Sequence, residues 1–458
     1  MAVHPGEHRI GTPLPIDLEK LQSDADRLVA AALKAGADKC DVVVSNGYSS
    51  GISVREGKVE NTGRSEGDGF SLRVFAGKRV ATVATNQPAD LQMLAERAVA
   101  MARVSPEDPY QDLADPDQLA RSWPDLDLVD PLEPDPASFR ETALEAEAAG
   151  LAVDGVMKSM GASAGAYNTG FVLAASNGFS GNFARTGHSV SASFVAGEGE
   201  AMERDYDFSS AVHLADLRPP AEVGRTAGER TARRVNPRKV SSGAFPVLLD
   251  RRLSGGLLGA MLGAINGSSI ARKTSFLRDR MGRQIASAAI TVTDDPLRMR
   301  GLGSRPFDGE GLACEKMVLV DGGVLQAWLL DGATARELGL ESNARASRGG
   351  SGTAPSSTNA WIAPGERTIA ETAREIGTGF YCTETIGHGI NMVTGDYSKG
   401  ASGYWIENGE IAYPVAEITI AGNLKDMFLA LTPLSDLEFR GAVNAPSLLI
   451  DTMAIGGK

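Results

Sequence analysis

A metal hydrolase needs nitrogen, sulfur or carboxylate ligands fixed on one scaffold, with a nearby group that can move a proton. The chain has five histidines: His4, His8, His188, His213 and His388. His4 and His8 have the i, i+4 spacing that sets two ligands on one helix face, but Pro5 and Gly6 lie between them and oppose a helix. The other three stand alone in sequence and read as structural or surface residues. A serine nucleophile would need a strand–turn–helix elbow. The two Gly-x-Ser-x-Gly matches, centred on Ser49 and Ser163, fall in an expected hairpin and at an expected strand. A cysteine nucleophile would need a base beside it. Cys382 and His388 are six residues apart and meet only if the chain turns at Gly387, so they read as a buried thiol and a loop histidine. No Walker A sequence is present, and Gly301-Leu302-Gly303 lacks the setting of a dinucleotide fingerprint.

Two glycine-rich polar blocks remain. Ser304–Gly311 holds Arg305, Asp308 and Glu310 among turn-forming residues, and Asp396, Tyr397, Ser398 and Lys399 precede Gly400. Such blocks close loops through Asp, Ser and Gly. They also suit a cleft lining in which Arg305 or Lys399 pairs with a carboxylate. These seven residues are the candidate substrate-lining set.

The 458-residue chain is long enough for two or three domains. No apolar run approaches the roughly 20 residues of a membrane-spanning helix, and the first residues lack the apolar core of a signal peptide. Cys40, Cys314 and Cys382 are odd in number and far apart, which fits a reducing cytoplasm. The net charge is −13, and residues 105–136 carry ten acids and one Arg, or −9, leaving about −4 elsewhere. The most basic stretch, 225–239, has six basic residues and one acid and reads as a helix end running into a boundary at Asn236-Pro237. Neither a nucleic-acid footprint nor a membrane segment is indicated.

The periodicity predicts helices over 16–36, 88–103, 137–149, 219–235 and 253–265. Strands are expected at 38–46 and 52–61 around a turn at Asn46-Gly47, and within 69–84 around Ala76-Gly77-Lys78. Further strands are expected at 162–167, 170–175 and 187–196, turning at Asn168-Thr169-Gly170 and Asn177-Gly178. Short strands follow at 245–250, 288–293, 317–320, 380–385, 403–406 and 418–420, with a mobile Gly/Ser-rich segment at 348–357. The fold class is α+β. The expected organisation is an N-terminal α+β domain (16–104), an acidic Pro-rich connection (105–136), a central antiparallel β region with flanking helices (137–235) and a mostly β C-terminal domain (236–458). The seven prolines of 105–136 rule out a continuous helix or central strand there, leaving either an exposed connection or a loop packed along the surface.

Residues 301–311 (Gly-Leu-Gly-Ser-Arg-Pro-Phe-Asp-Gly-Glu-Gly), the Thr-Gly-Asp-Tyr-Ser-Lys-Gly-Ala-Ser-Gly-Tyr-Trp block from 394, Arg-Lys-Thr-Ser-Phe-Leu at 272–277 and Ile-Thr-Ile-Ala-Gly-Asn-Leu-Lys-Asp-Met at 418–427 are long, unusual blocks. Together they closely resemble the PmbA/TldE branch of the TldD/PmbA family, over about 16–457 and most densely over 241–430. The TldD branch carries a metal-binding His-Glu-x-x-x-His helix and a C-terminal Cys ligand. The resemblance places Leu258, Gly259 and Gly263 at the His, Glu and His positions, and no Cys follows Cys382. It therefore implies no metal or other cofactor in this chain, and a metal ion, expected to be zinc, in a TldD-type partner. The implied role is a noncatalytic, cytoplasmic subunit of a heterodimeric metalloprotease acting on unfolded peptides; an older family label is modulator of DNA gyrase. Two alternatives are a stand-alone homodimeric peptide-binding module and an independent hydrolase using Ser49, Ser163 or Cys382.

Overall fold

The computed structural model describes residues 16–86, 90–132, 134–199, 202–349 and 352–458. His4 and His8 lie outside the described residues. The first half comprises α1 (Leu18–Lys34), β1 (Lys39–Arg55), β2 (Lys58–Ala76), β3 (Arg79–Thr85), α2 (Leu91–Val104), α3 (Pro136–Leu151), β4 (Val156–Ala175), β5 (Ser180–Ala196), β6 (Glu203–Ala211) and α4 (Pro220–Ala232). Its strands form one antiparallel sheet in the order β3-β2-β1-β4-β5-β6. The sheet runs through both the 16–104 and the 137–235 regions, because β1 pairs with β4 from Asp41–Ala175 to Val54–Ala162.

Strand side chains alternate between faces, and β1 shows the consequence. Val42 and Val44 pack under α1 and α2, while Ile52 and Val54, of the same parity, pack under α3 and α4. Asp41 and Val43 face the other way, toward the second half of the chain. Helices α3 and α4 meet closely: a Cβ on Gly224 would lie 1.8 Å from the Ala146 carbonyl oxygen.

The second half comprises β7 (Gly243–Leu249), α5 (Arg251–Ala264), α6 (Gly267–Ala271), β8 (Val292–Asp294), β9 (Met317–Asp321), β10 (Val324–Leu325), α7 (Gly332–Leu338), β11 (Ala346–Gly349), β12 (Gly352–Pro355), β13 (Ala360–Ile362), α8 (Ile369–Ile376), β14 (Gly379–Ile386), β15 (Asp396–Glu407), β16 (Glu410–Asn423), α9 (Leu424–Leu429), β17 (Leu431–Pro433), β18 (Val443–Asn444) and β19 (Leu448–Gly456). One sheet has the order β16-β15-β14-β7-β19-β17, and pairing of β16 with β19 closes five of these strands into a ring. A second sheet runs β10-β9-β8-β13-β18. The largest core lies between these sheets and α5. The fold is α+β, as its sequence predicts.

Several local expectations are corrected. Asn46-Gly47 is not a turn: both residues sit mid-strand, paired with Asp68 and Gly67 on one side and Gly170 and Thr169 on the other. The turn falls at Glu56-Gly57, where both residues take positive φ (51° and 74°), the conformation of a two-residue hairpin. Asn168-Thr169-Gly170 likewise continues β4, held by neighbours on both edges. Asn177-Gly178 and Ala76-Gly77-Lys78 do turn, with Gly178 and Gly77 at positive φ. The predicted 288–293 strand shrinks to β8. The segment expected to be mobile carries the end of β11 and all of β12, which pair with each other, and the Arg348 side chain there is buried against Asp41.

Residues 105–132 pack rather than dangle. Leu113, Ala120, Leu126 and Leu128 are buried. Ala120 N–H donates to Gly311 O (2.9 Å), Arg300 N–H donates to Leu126 O (2.9 Å), and Thr186 N–H donates to Leu128 O (2.9 Å). The acidic segment thereby straps the two halves together.

Candidate functional site

Two of the places where the halves meet enclose hollows. The first is a junction where the glycine-rich block 301–311 is pressed against the Asp41 face of the first sheet. Gly309 N–H donates to Ala346 O (2.8 Å), and a Cβ on Gly309 would lie 2.7 Å from the Arg348 nitrogen. Gly311, at φ 84°, lies against the Phe179 ring. Phe307 is buried at the centre, edge-on to Trp123, Phe179 and Phe183.

Charge is buried around this aromatic cluster. Asp41 and Arg73 are register partners on β1 and β2, with Arg73 Nε donating to Asp41 Oδ2 at 2.9 Å. Arg348 Nη2 lies 2.6 Å from Asp41 Oδ1, and both side chains are almost wholly buried. Asp308 accepts backbone N–H bonds from Glu310 (2.9 Å), Leu312 (2.9 Å) and Ala346 (3.1 Å). Burial pushes its pKa up, against the pull of Arg305 and those donors. Glu310 Oε2 accepts from Gly332 N–H at 2.7 Å. Burial, reinforced by Asp308, pushes the Glu310 pKa up to about 7.

Arg305 and Asp308 line a pocket of about 370 Å³, together with Thr169, Phe171, Phe183, Arg185 and Arg348. Arg185 Nη1 donates to Leu302 O (3.0 Å) and Nη2 to Ser304 O. Burial lowers the Arg185 pKa, with Tyr167 opposing and Arg305 adding to the effect.

The second meeting place is a cleft of about 770 Å³ that shares Met160, Arg204, Arg234 and Glu384 with an adjoining hollow of about 390 Å³. Its walls are tied by ion pairs. Arg234 spans Glu203 (3.4 Å), Asp205 (3.4 Å) and Glu384. Arg252, in the first turn of α5, reaches Asp205 (2.8 Å) and Asp250 (3.3 Å). Although burial opposes it, these carboxylates hold the Arg234 and Arg252 pKa values above normal. At the cleft, Ala416 and Glu417 fall outside the β15–β16 ladder, and Glu417 has positive φ (55°).

The expected site residues are therefore divided. Arg305 and Asp308 share the junction pocket, and Glu310 lies buried behind it. Asp396, Tyr397, Ser398 and Lys399 lie on β15 and line neither hollow; Gly400, Ala401 and Ser402, next along the strand, reach the cleft. Asp396 accepts from Thr394 Oγ1 (2.6 Å) and Asn423 Nδ2 (3.1 Å), as a loop fastener does. Tyr397 is buried, Ser398 N–H donates to Gly389 O (2.7 Å), and Lys399 Nζ lies 5.6 Å from the Tyr397 ring centroid.

Among the nucleophile candidates, Ser49 and Ser163 are both mid-strand, and Ser163 Oγ sits 2.9 Å from Ser191 Oγ. Cys382 Sγ donates to Glu384 O (3.4 Å) and is fully buried, which pushes its pKa up, while His388 is exposed. His188 and His213, isolated in sequence, converge on Asp130: His188 Nε2 lies 3.1 Å from Oδ2, and His213 Nδ1 lies 3.9 Å from Oδ1. The His188 contact is close in distance but lacks hydrogen-bond alignment. Burial lowers the His188 pKa.

Arg185, Arg348, Arg234 and Arg252 were not singled out from sequence. For Asp41 and Arg73 a signal was present: each interrupts an apolar strand run, Cys-Asp-Val-Val-Val and Leu-Arg-Val-Phe. Helix α5 does not fit a metal centre. Leu258 is wholly buried in the core, a Cβ on Gly259 would meet nothing within 4 Å, and one on Gly263 would lie 3.5 Å from Met392 Cε.

Comparison with known proteins supplies the family. The PmbA/TldA metallopeptidase domain 1, central domain and C-terminal domain profiles match residues 40–102, 129–235 and 242–457. The chain is 36% identical over 443 residues to metalloprotease PmbA of Escherichia coli O157:H7, covering 94% of this chain and 96% of that protein. It is 33% identical over 445 residues to a metalloprotease PmbA homolog of Haemophilus influenzae, covering 96% of each. A crystal structure from Bacteroides thetaiotaomicron, described as a candidate modulator of DNA gyrase, superposes with TM-score 0.88 at 28% identity, covering 97% of this chain and 100% of that one. TldE of Thermococcus kodakarensis, 20% identical, shares the fold with TM-score 0.84, covering 94% of this chain and 99% of that one. Among the described residues no helix is long and apolar enough to cross a membrane. The chain belongs to the PmbA/TldD metallopeptidase family.

Proposed function

We propose that this chain is the noncatalytic TldE/PmbA-type member of a two-chain peptide-processing metalloprotease in the cytoplasm. A TldD-type partner supplies the metal, and this chain completes the chamber and positions an unfolded peptide. One observation carries the reading: the α5 positions matched to ligand and base hold Leu258, Gly259 and Gly263, which offer only hydrocarbon, hydrogen and open space. None of them can bind a metal or move a proton.

The cleft supports the second half of the reading. Its bulge at Ala416 and Glu417 leaves backbone groups outside the strand ladder, and such groups can pair with an extended peptide whatever its sequence. The paired charges of its walls favour no single net charge in the substrate.

Light scattering after size exclusion, on this chain alone and mixed with a TldD-type chain from the same source, tests the proposal. A stable one-to-one complex that cleaves an unfolded peptide, with no cleavage by this chain alone, is expected. Self-association that ignores the partner would replace it with the homodimeric peptide-binding module. Chelator-resistant cleavage by the pure chain would replace it with an independent hydrolase.

A further inference from the structure

The junction pocket holds more buried cationic donors than it satisfies. Arg185 Nε, Arg305 Nε and Nη2, and Arg348 Nε and Nη1 are buried without a hydrogen-bond partner among the described residues. The Arg348 side chain is only 1% exposed, and among the described residues its one ion-pair partner is Asp41. Arg185 is bonded to carbonyl oxygens and, among the described residues, to no carboxylate. A buried guanidinium with idle N–H groups is costly, and such groups are normally satisfied by protein, water or ligand. All three arginines border the same hollow of about 370 Å³, which Phe171 and Phe183 also line. A planar fork of donors matches a carboxylate, and the aromatic wall matches an apolar group attached to it.

We infer that this pocket binds a carboxylate carried on an apolar group, with Arg185, Arg305 and Arg348 as its donors and Phe171 and Phe183 as its apolar wall. Two sources share that chemistry: the C-terminal residue of a peptide and a free small carboxylic acid. The peptide source rests on the peptide-handling role proposed above; the site itself does not.

Isothermal titration calorimetry on the full chain, without a partner, separates the possibilities. The probes are acetyl-Ala-Ala-Phe with a free C-terminus, the same peptide as its C-terminal amide, and 3-phenylpropionate. The acid peptide is expected to bind at least tenfold more tightly than the amide. Binding of 3-phenylpropionate as tight as that of the acid peptide assigns the site to small acids; much weaker binding assigns it to peptide termini. Either outcome supports the carboxylate site. Arg185→Met is expected to weaken acid binding at least tenfold, with its fold checked by circular dichroism. Should that variant fail to fold, the acid-to-amide ratio on the unaltered chain still decides. Equal binding of acid and amide, or no binding of any probe at millimolar concentration, overturns the inference. Loss of carboxylate binding with an active two-chain complex would sink the pocket alone. Carboxylate binding without such a complex would sink the subunit reading alone.

Discussion

Two buried charge clusters join the halves of this molecule, and they differ in how completely their charged groups are paired. Around Asp207, Arg230 Nη1 (2.9 Å) and Arg440 Nη2 meet Oδ1 while Arg218 Nη1 (2.7 Å) meets Oδ2, so a wholly buried carboxylate is enclosed by cations. Arg234 and Arg252 share Asp205 next to it. Around the junction pocket Arg185, Arg305 and Arg348 all keep idle donors and the Glu310 Oε1 acceptor is idle as well, against Arg440 Nη1 around Asp207, among the described residues. The difference teaches that burial of charge alone does not mark a site. Burial in which nearly every charged group is paired fastens the halves, whereas burial that leaves many donors idle leaves room for a ligand.

The contrast can be broken first at its more fully paired side. Asp207→Ala would crowd Arg218, Arg230 and Arg440 together around a lost carboxylate, with Arg218 keeping Glu222 as its partner. Breaking such a cluster is expected to cost about 3–5 kcal/mol, read as a lowered denaturant midpoint. A loss below about 1 kcal/mol would show that the cluster is not a fastener.

Glu310 gives the next effect, and its sign follows from linkage. Its folded pKa of about 7 lies above the usual 4.5, so the native state holds the proton more tightly than the unfolded chain does. Stability from this group is therefore present below pH 4.5 and lost as pH rises toward 7, by up to about 3 kcal/mol. Glu310→Gln keeps an acceptor for Gly332 N–H and removes the titration. Its melting temperature should fall less than that of the unaltered chain between pH 5 and pH 8. Parallel pH profiles would reject a buried titrating carboxylate there.

Arg185→Met should cost less, about 1–2 kcal/mol, because it removes two hydrogen bonds to carbonyls and strands no carboxylate. A loss as large as that of Asp207→Ala would erase the distinction between the clusters. The smallest change is expected for Asp396→Ala, whose hydrogen bonds to Thr394 and Asn423 compete with water at the surface. Thermal melting should barely register it, and a two-chain complex carrying it should keep its rate of peptide cleavage. Slower cleavage would return Asp396 to the site.

Much of the fold was legible because it is written in local patterns. The apolar spacing of Leu21, Ala25, Leu28 and Ala32 marks α1, and those residues are its buried face. Turns were misread where a neighbour decided the outcome. Asn46-Gly47 and Asn168-Thr169-Gly170 carry turn residues, yet pairing on both edges holds each of them extended. The site was legible only in part. The blocks holding Arg305 and Asp396 stood out by composition, but composition does not say that one closes a pocket and the other a surface loop.

The sequence by itself determined the α+β class, the family and the lack of ligand chemistry on α5, since these rest on residue identity and order. Only the tertiary structure decided which charges meet. Arg185, Arg305 and Arg348 come from distant parts of the chain, as do His188 and His213 around Asp130. Their pairing depends on which strand face each residue takes and on how the acidic strap and the glycine block draw the halves together. Electrostatic partners are set by distance in space, and no spacing along the chain records it.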